Sequence, residues 1–432
     1  MPVNQLERIF ILDSLRGIAI LGILLMNIPV FGLPPAVAQD PSVLHEQGID
    51  YITWYVINLV PEGTQRAIFS MLFGAGIILF TDRLQNKLSG VKFLYYFVQR
   101  QLWLMVFSLF DIFVLLWSGD ILLDYACLGL IVVLFRKLSG KRLLICAGAC
   151  FVMMIARENR DFYRDKGRLY RGETAAQVDT NVSPLTGQQK KDLSAMTRFK
   201  ERNTREWKLK RTGETIHQAR GNYSEVFSFR TTQYLEDMAP YLYFGLWDVL
   251  LFMFLGMAFF KLGILTGKAS TRTYLFMFIG GSLLGVSFSY LRLQPYIDYG
   301  FNWFEYTKHV KIQLYELSRT CRSIGFFGLV MLLYKSGRFQ KFFAVMRPVG
   351  QMAFTNYLLQ SLLCGLLFNG IGLGMYGSLA RVEVYYVVVA IWLFQILMSH
   401  AWLRYFRFGP MEWLWRSLTY WKLQPMKRTD SW

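Results

Sequence analysis

From Ile9 to Leu33 the chain is apolar enough and long enough to cross a bilayer, yet Asp13, Arg16 and Asn27 interrupt it. Lipid offers the backbone no partners, so such a run has to fold as a helix that bonds to itself. At ~100° per residue the three polar side chains then fall on one stripe about 60° wide. A guanidinium at that depth is costly unless it meets a partner or a wet cavity. The stripe therefore either points into a polar site inside the membrane, or Asp13 and Arg16 do no more than neutralise each other.

Further apolar stretches follow near residues 65–82, 101–117, 119–135, 142–156, 240–262, 273–291, 320–334, 349–370 and 384–403. They predict an all-α fold, a polytopic transmembrane helix bundle of about ten helices, with residues 51–60 as an extra interfacial or re-entrant piece. Of 432 residues, 54% are hydrophobic and 17% aromatic, too many for an ordinary soluble chain of this length. A formal charge of +18 would suit nucleic acid, but the basic residues gather at the ends of apolar segments, where they meet anionic lipid heads. The expected partner is membrane lipid, not nucleic acid.

Lys and Arg also orient the chain. Arg83, Lys87, Lys92 and Arg100, then Arg136 to Arg142, Lys261 to Arg272, Lys335 to Arg347 and the tail from Arg404 mark cytoplasmic loops, whereas residues 34–64 contain neither Lys nor Arg. An even number of spans, both termini cytoplasmic, and residence in the cell (inner) membrane follow as expectations. Four units result: 1–156, a five-helix membrane half; 157–237, a polar, basic extracytoplasmic insert; 238–408, a second five-helix half; and 409–432, a cytoplasmic tail. The insert's centre, 188–220, has helical propensity without an apolar face and reads as a solvated or partly disordered helix. In the tail, Gly409-Pro410 ends the last span before an interfacial amphipathic helix over Met411–Trp421.

Cys127, Cys146, Cys150, Cys321 and Cys364 lie in apolar surroundings without a C-x-x-C or Cys/His cluster, so they read as small core residues and no metal site is expected. Gly372, Gly374 and Gly377 spell G-x-G-x-x-G but follow no strand, and P-loop, H-E-x-x-H and G-x-S-x-G motifs are absent.

Ordered motifs carry a resemblance. Leu12-Asp13-Ser14-Leu15-Arg16-Gly17 runs on to Met26-Asn27-Ile28. Phe69-Ser70-Met71-Leu72-Phe73-Gly74, Gly119-Asp120-Ile121-Leu122-Leu123-Asp124-Tyr125, Gly221-Asn222-Tyr223 with Arg230, and Leu255-Gly256-Met257 come next. Gly350-Gln351-Met352-Ala353-Phe354-Thr355-Asn356-Tyr357 continues to Ser361, and Trp402 to Arg416 closes the series. Together they resemble the YeiB family of bacterial integral membrane proteins over nearly the whole chain except roughly 157–215. That family is grouped with the transmembrane acyltransferases through its first helix. The resemblance implies transfer of an acyl group from a cytosolic thioester, with acyl-CoA as co-substrate and no resident cofactor, to a small-molecule, glycan or lipid acceptor on the far side.

Polysaccharide-modifying relatives carry a histidine about where Asn27 stands, and many YeiB members carry one near Asp111. Here the histidines are His45, His217, His309 and His400. The general base then falls to a carboxylate, Asp111, Asp120 or Asp124, although Ser118-Gly119-Asp120 also reads as a turn and helix N-cap. The substrate-binding candidates are Asp13, Arg16, Asn27, Arg66, Arg230, Asn356 and Gln360. Asn356 and Gln360, one turn apart, equally suit glue between helices. Glu62 and Arg66 suggest an i,i+4 pair, Arg322 an anion-binding or snorkelling cation, and His400 a packing residue. The same polar chamber would serve a transporter or lipid-handling protein, and an oligomer is compatible with either.

Overall fold

The computed structural model describes residues 9–86, 92–179, 181 and 184–428, with side chains outside 237–244. Lys87, one of the orienting cations, lies outside the described residues. The N-terminal half holds α1 (Phe10–Gly32), α2 (Pro35–Gln39), α3 (Ile49–Leu59), α4 (Thr64–Gln85), α5 (Lys92–Phe113) and α6 (Leu122–Val132), the last extended by a 3-10 turn, Val133–Phe135. Then come α7 (Gly140–Ala176), α8 (Gly187–Arg202), α9 (Arg205–Ala219) and α10 (Tyr223–Lys261). The remainder is α11 (Thr271–Asp298), α12 (Trp303–His309), α13 (Tyr315–Lys335), α14 (Gln340–Gln351), α15 (Ala353–Phe368), α16 (Arg381–Tyr405) and α17 (Pro410–Tyr420). The described residues contain no strand, only an isolated bridge from Phe406 to Lys427. The fold is an all-helical bundle.

Among the described residues, four helical stretches are long and apolar enough to cross a membrane: α1, α3 with α4 (Ile49–Gln85), α11 and α16. The other expected spans coincide with helices that are either short, as α6 and α15 are, or carry polar and charged residues along their apolar run, as α5, α7 and α13 do, while the span expected at 240–262 lies partly outside the residues whose side chains are described. The difference has a physical cause. Asp248 and Arg319 are buried and satisfy each other inside the bundle, so helices that would be too polar to face lipid are tolerable within it. Phe276 and Leu283 on α11 and Leu397 on α16 are exposed, as apolar side chains with lipid for a neighbour should be.

Small residues let the helices touch. A methyl group on Gly17 would strike the Met346 carbonyl, and one on Gly350 the Asp13 carbonyl, so α1 and α14 cross backbone to backbone. Gly74 and Gly256 do the same for α4 and α10. α7 and α10 run without interruption across positions 156 and 238, the bounds expected for the insert. Its helices are capped by side chains: Thr186 with Gln189 for α8, Thr204 for α9 and Asn222 with Glu225 for α10. α8 buries none of its residues, and α9 only Thr212, Thr215 and Ala219.

Candidate functional site

Two chambers lie at opposite ends of α1. The smaller, about 280 Å³, is walled by Asp13 and Arg16 of α1, Phe80 and Arg83 of α4, Arg100 of α5, Tyr125 of α6, Tyr357 of α15, and Glu412, Trp415 and Arg416 of α17. Its walls hold four arginines and two carboxylates, a balance of +2. Both carboxylates are engaged. Asp13 accepts from Arg16 at 3.0 Å and from Gln351 Nε2 at 3.3 Å. Glu412 accepts from the backbone N–H groups of Phe354 (2.7 Å) and Thr355 (3.2 Å) and from the Thr355 hydroxyl.

That second set has a local cause. The helix breaks at Met352, after Pro348, and α15 restarts with free N–H groups that attract an anion. Glu412 supplies it, and burial raises its carboxyl above the ordinary range against the pull of those hydrogen bonds. Trp415 Nε1 donates to the Arg100 carbonyl at 2.9 Å and fastens α17 to α5. The Arg100 guanidinium lies 3.5 Å from the Trp415 ring centroid and 5.0 Å from that of Phe80. No carboxylate among the described residues pairs with it. The tail helix is thus one wall of a chamber, more than the interfacial strip its sequence suggested.

Behind Tyr357 stands a carboxyl cluster. Asp120 Oδ1 accepts from the Tyr357 hydroxyl at 3.0 Å, and that hydroxyl accepts from the Ile121 N–H at 3.2 Å. Asp120 Oδ2 accepts from the Ser108 hydroxyl and from the N–H groups of Leu122 (3.0 Å) and Leu123 (3.1 Å). Asp120 therefore accepts from the N–H groups that open α6, as its turn sequence suggests, and meets the Tyr357 hydroxyl with its other oxygen. Asp111 is fully buried beside Asp120 and Ser361. Asp124, on the first turn of α6, lines neither chamber.

The other expected residues go elsewhere. Asn27 lines neither chamber, although it shares α1 with Arg16. Asn356 donates to the Val349 carbonyl and to Ser399, both at 3.1 Å, and Gln360 to the Ile20 carbonyl (3.1 Å) and Gln395 (3.0 Å). They join α15 to α1, α14 and α16. Arg230 reaches Gln233 (3.2 Å) and Asn369 (3.3 Å) between the rings of Phe229 and Tyr376. Arg66 pairs with Asp248 at 2.5 Å, while Glu62 pairs with Arg292 at 2.8 Å. The expected Glu62–Arg66 pair fails because Glu62 sits in the turn before α4, out of helical register with Arg66. Arg322 is buried and donates to the carbonyls of Asn58, Leu59 and Val60, so it closes the end of α3. His400 packs against its own helix through the Ile396 carbonyl.

The chain is 30% identical over 419 residues to the uncharacterized protein YeiB of Escherichia coli (strain K12), covering 96% of this chain and 97% of YeiB. It belongs to the YeiB family. The uncharacterized protein YxaH of Bacillus subtilis (strain 168) is 27% identical across 99% of this chain and 98% of its own length. An uncharacterized 39.9 kDa protein from the amylase 3' region of Bacillus acidopullulyticus is 24% identical across 97% of this chain. The family described as "Protein of unknown function (DUF418)" matches residues 259–422. No solved structure matches. In this YeiB-family membrane protein the fold brings Asp13 and Arg16 together with Arg83, Arg100 and Arg416, which the sequence reading had used only to orient loops or the tail. Tyr357 lies inside the Gly350–Ser361 motif, where the sequence marks only its amide neighbours Asn356 and Gln360 as candidates.

Proposed function

We propose that this protein is a membrane-embedded acyltransferase that moves an acyl group from a cytosolic thioester donor, acyl-CoA, to an extracytoplasmic or lipid acceptor. The observation behind this reading is one cavity, positive by two charges, that four arginines share with the Tyr357 hydroxyl. Guanidinium forks match phosphate oxygens, so Arg16, Arg83, Arg100 and Arg416 suit the phosphates of a coenzyme A thioester, and Asp13 orients Arg16. Ser118, two residues before Asp120, donates to Gln233, which lines the other chamber.

In the step itself the acceptor's oxygen or nitrogen attacks the thioester carbonyl. Its proton passes through the Tyr357 hydroxyl to Asp120 as general base, with Asp111 alongside. The new acyl bond forms as the C–S bond breaks, and the leaving thiolate recovers the proton.

Purified protein in nanodiscs, given acetyl-CoA labelled in the acetyl group together with bilayer lipid and an envelope glycan fraction, should pass the label to one of them. Arg100→Ala should weaken donor binding about 10- to 150-fold, the worth of a charge-assisted hydrogen bond. Asp120→Asn should abolish turnover while leaving donor binding in place. Transfer that survives both Arg16→Ala and Asp120→Asn ends the proposal. The two chambers at opposite ends of α1 favour one rival, a transporter or lipid-handling protein, and solute flux into proteoliposomes without covalent change would select it.

A further inference from the structure

The larger chamber, about 1240 Å³, opens beside the other end of α1, where Met26, Pro29 and Leu33 form its apolar wall. Its opposite side comes from α9 and α10, and α2, α3, α8, α11, α12 and α16 complete it. The lining carries four cations, Arg202, Lys208, Arg211 and Arg381, and four anions, Asp40, Glu62, Glu225 and Glu236, so the charges cancel. Most of these are already tied within the protein. Lys208 pairs with Asp40 at 2.6 Å, Arg381 with Glu46 at 2.6 Å, Arg211 with Glu214 at 3.1 Å and Glu62 with Arg292 at 2.8 Å. Glu225 caps α10 through the Asn222 N–H. The two left over, Arg202 and Glu236, are of opposite sign. The smaller chamber selects by charge; this one has no net charge to select with.

What it does offer is flat rings and neutral hydrogen-bonding groups. Trp54, Trp207, Trp303, Tyr296 and Tyr385 line it together with amides such as Gln39 and Gln218. Trp54 is 2% exposed, and its indole N–H is buried without a hydrogen-bond partner, although an unsatisfied donor of this kind costs on the order of 1–3 kcal/mol. Trp54 is one of the residues that line the chamber, so a ligand packed against it is placed to bring an acceptor to this donor. Rings bearing C–H faces stack on aromatic platforms, and their hydroxyls both donate and accept, which is what an indole N–H and side-chain amides require.

We propose that the larger chamber is a binding site for an uncharged polyhydroxylated ring, a neutral sugar, carried as a free oligosaccharide or as the head of a lipid. As the acceptor of the transfer proposed above it rests on that reading, but its binding does not, so the two are tested apart.

The full chain in nanodiscs, without any thioester, is titrated calorimetrically with an array of neutral oligosaccharides, with trigalacturonate as the anionic control and a chitosan trimer as the cationic one. Neutral sugars should bind. Trp54→Phe, which keeps a ring and deletes the N–H, and Gln218→Ala, at an exposed position that leaves the fold alone, should each weaken binding about fivefold or more. Binding restricted to the charged controls, neutral binding unchanged in both variants, or no saccharide binding at all would each overturn the proposal. Sugar binding without acyl transfer would retire the acyltransferase and leave this site standing.

Discussion

Asn356→Ala separates a residue that holds helices together from one that holds a ligand. Asn356 is wholly buried, and its Nδ2 makes two hydrogen bonds of 3.1 Å, one to the Val349 carbonyl across the break at Met352 and one to Ser399 on α16. Its backbone carbonyl, which accepts from Gln395 at 2.8 Å, survives the change. Side-chain hydrogen bonds between membrane helices average about 0.6 kcal/mol and reach about 1.7 kcal/mol. Two of them therefore contribute about 1–3 kcal/mol. The unpartnered Asn356 Oδ1 leaves with the side chain, which trims the loss toward the middle of that range. Reversible unfolding in mild detergent should show a loss near 2 kcal/mol, while coenzyme A binding measured by calorimetry shifts less than about twofold, because Asn356 lines neither chamber. Unchanged stability with tenfold weaker ligand binding would refute the argument and return Asn356 to the binding site.

Two further outcomes follow from the same geometry. Gly350→Ala puts a methyl group against the Asp13 carbonyl and should cost about 1–3 kcal/mol as α14 is pushed from α1, and an unchanged melting temperature would show that the crossing is looser than described. Glu158, beyond the apolar part of α7, accepts from the Tyr315 and Glu316 N–H groups, and burial, then the neighbouring Glu316, pushes its carboxyl up to about 7. Folded protein thus holds a proton that unfolded chain releases near 4.5, so this stability is present below 4.5 and fades as pH rises through about 7. That shift amounts to about 3 kcal/mol at most, and melting scans from pH 5 to 8 should show a slope that Glu158→Gln flattens. Equal slopes in the two proteins would remove Glu158 as the cause.

Arg16 was legible in the sequence because a cation seven residues into an apolar run has no cheap place in lipid, and its partner Asp13 lies one turn away. Arg83, Arg100 and Arg416 are chemically identical but stand at the ends of apolar runs, where orientation in the membrane already accounts for them. The packing of α4 on α1 and of α5 on α4 brings Arg83 and Arg100 to Arg16, the return of α17 onto α5 and α15 adds Arg416, and nothing local encodes those contacts. The helix break at Met352 was hidden for a similar reason. Pro348 and Gly350 hinted at it, but the carboxylate that makes it tolerable comes from Glu412, about sixty residues on. Asn356 and Gln360 were ambiguous by nature, since an amide that binds a ligand and one that bridges helices look alike until the neighbouring carbonyls are known. The overall class was the easy part, because long apolar runs leave a chain few ways to satisfy its backbone.

The fastening of α17 has a practical side. Glu412 plugs the start of α15, Trp413 bonds to the Gln424 carbonyl at 2.7 Å, and Trp415 grips α5, so residues 410–424 are masonry and not trailing thread. A purification handle or fluorescent reporter fused there would load a cavity wall. The open surface at Gly187, where nothing lies within 4 Å of an added side chain, is the less intrusive place to insert one.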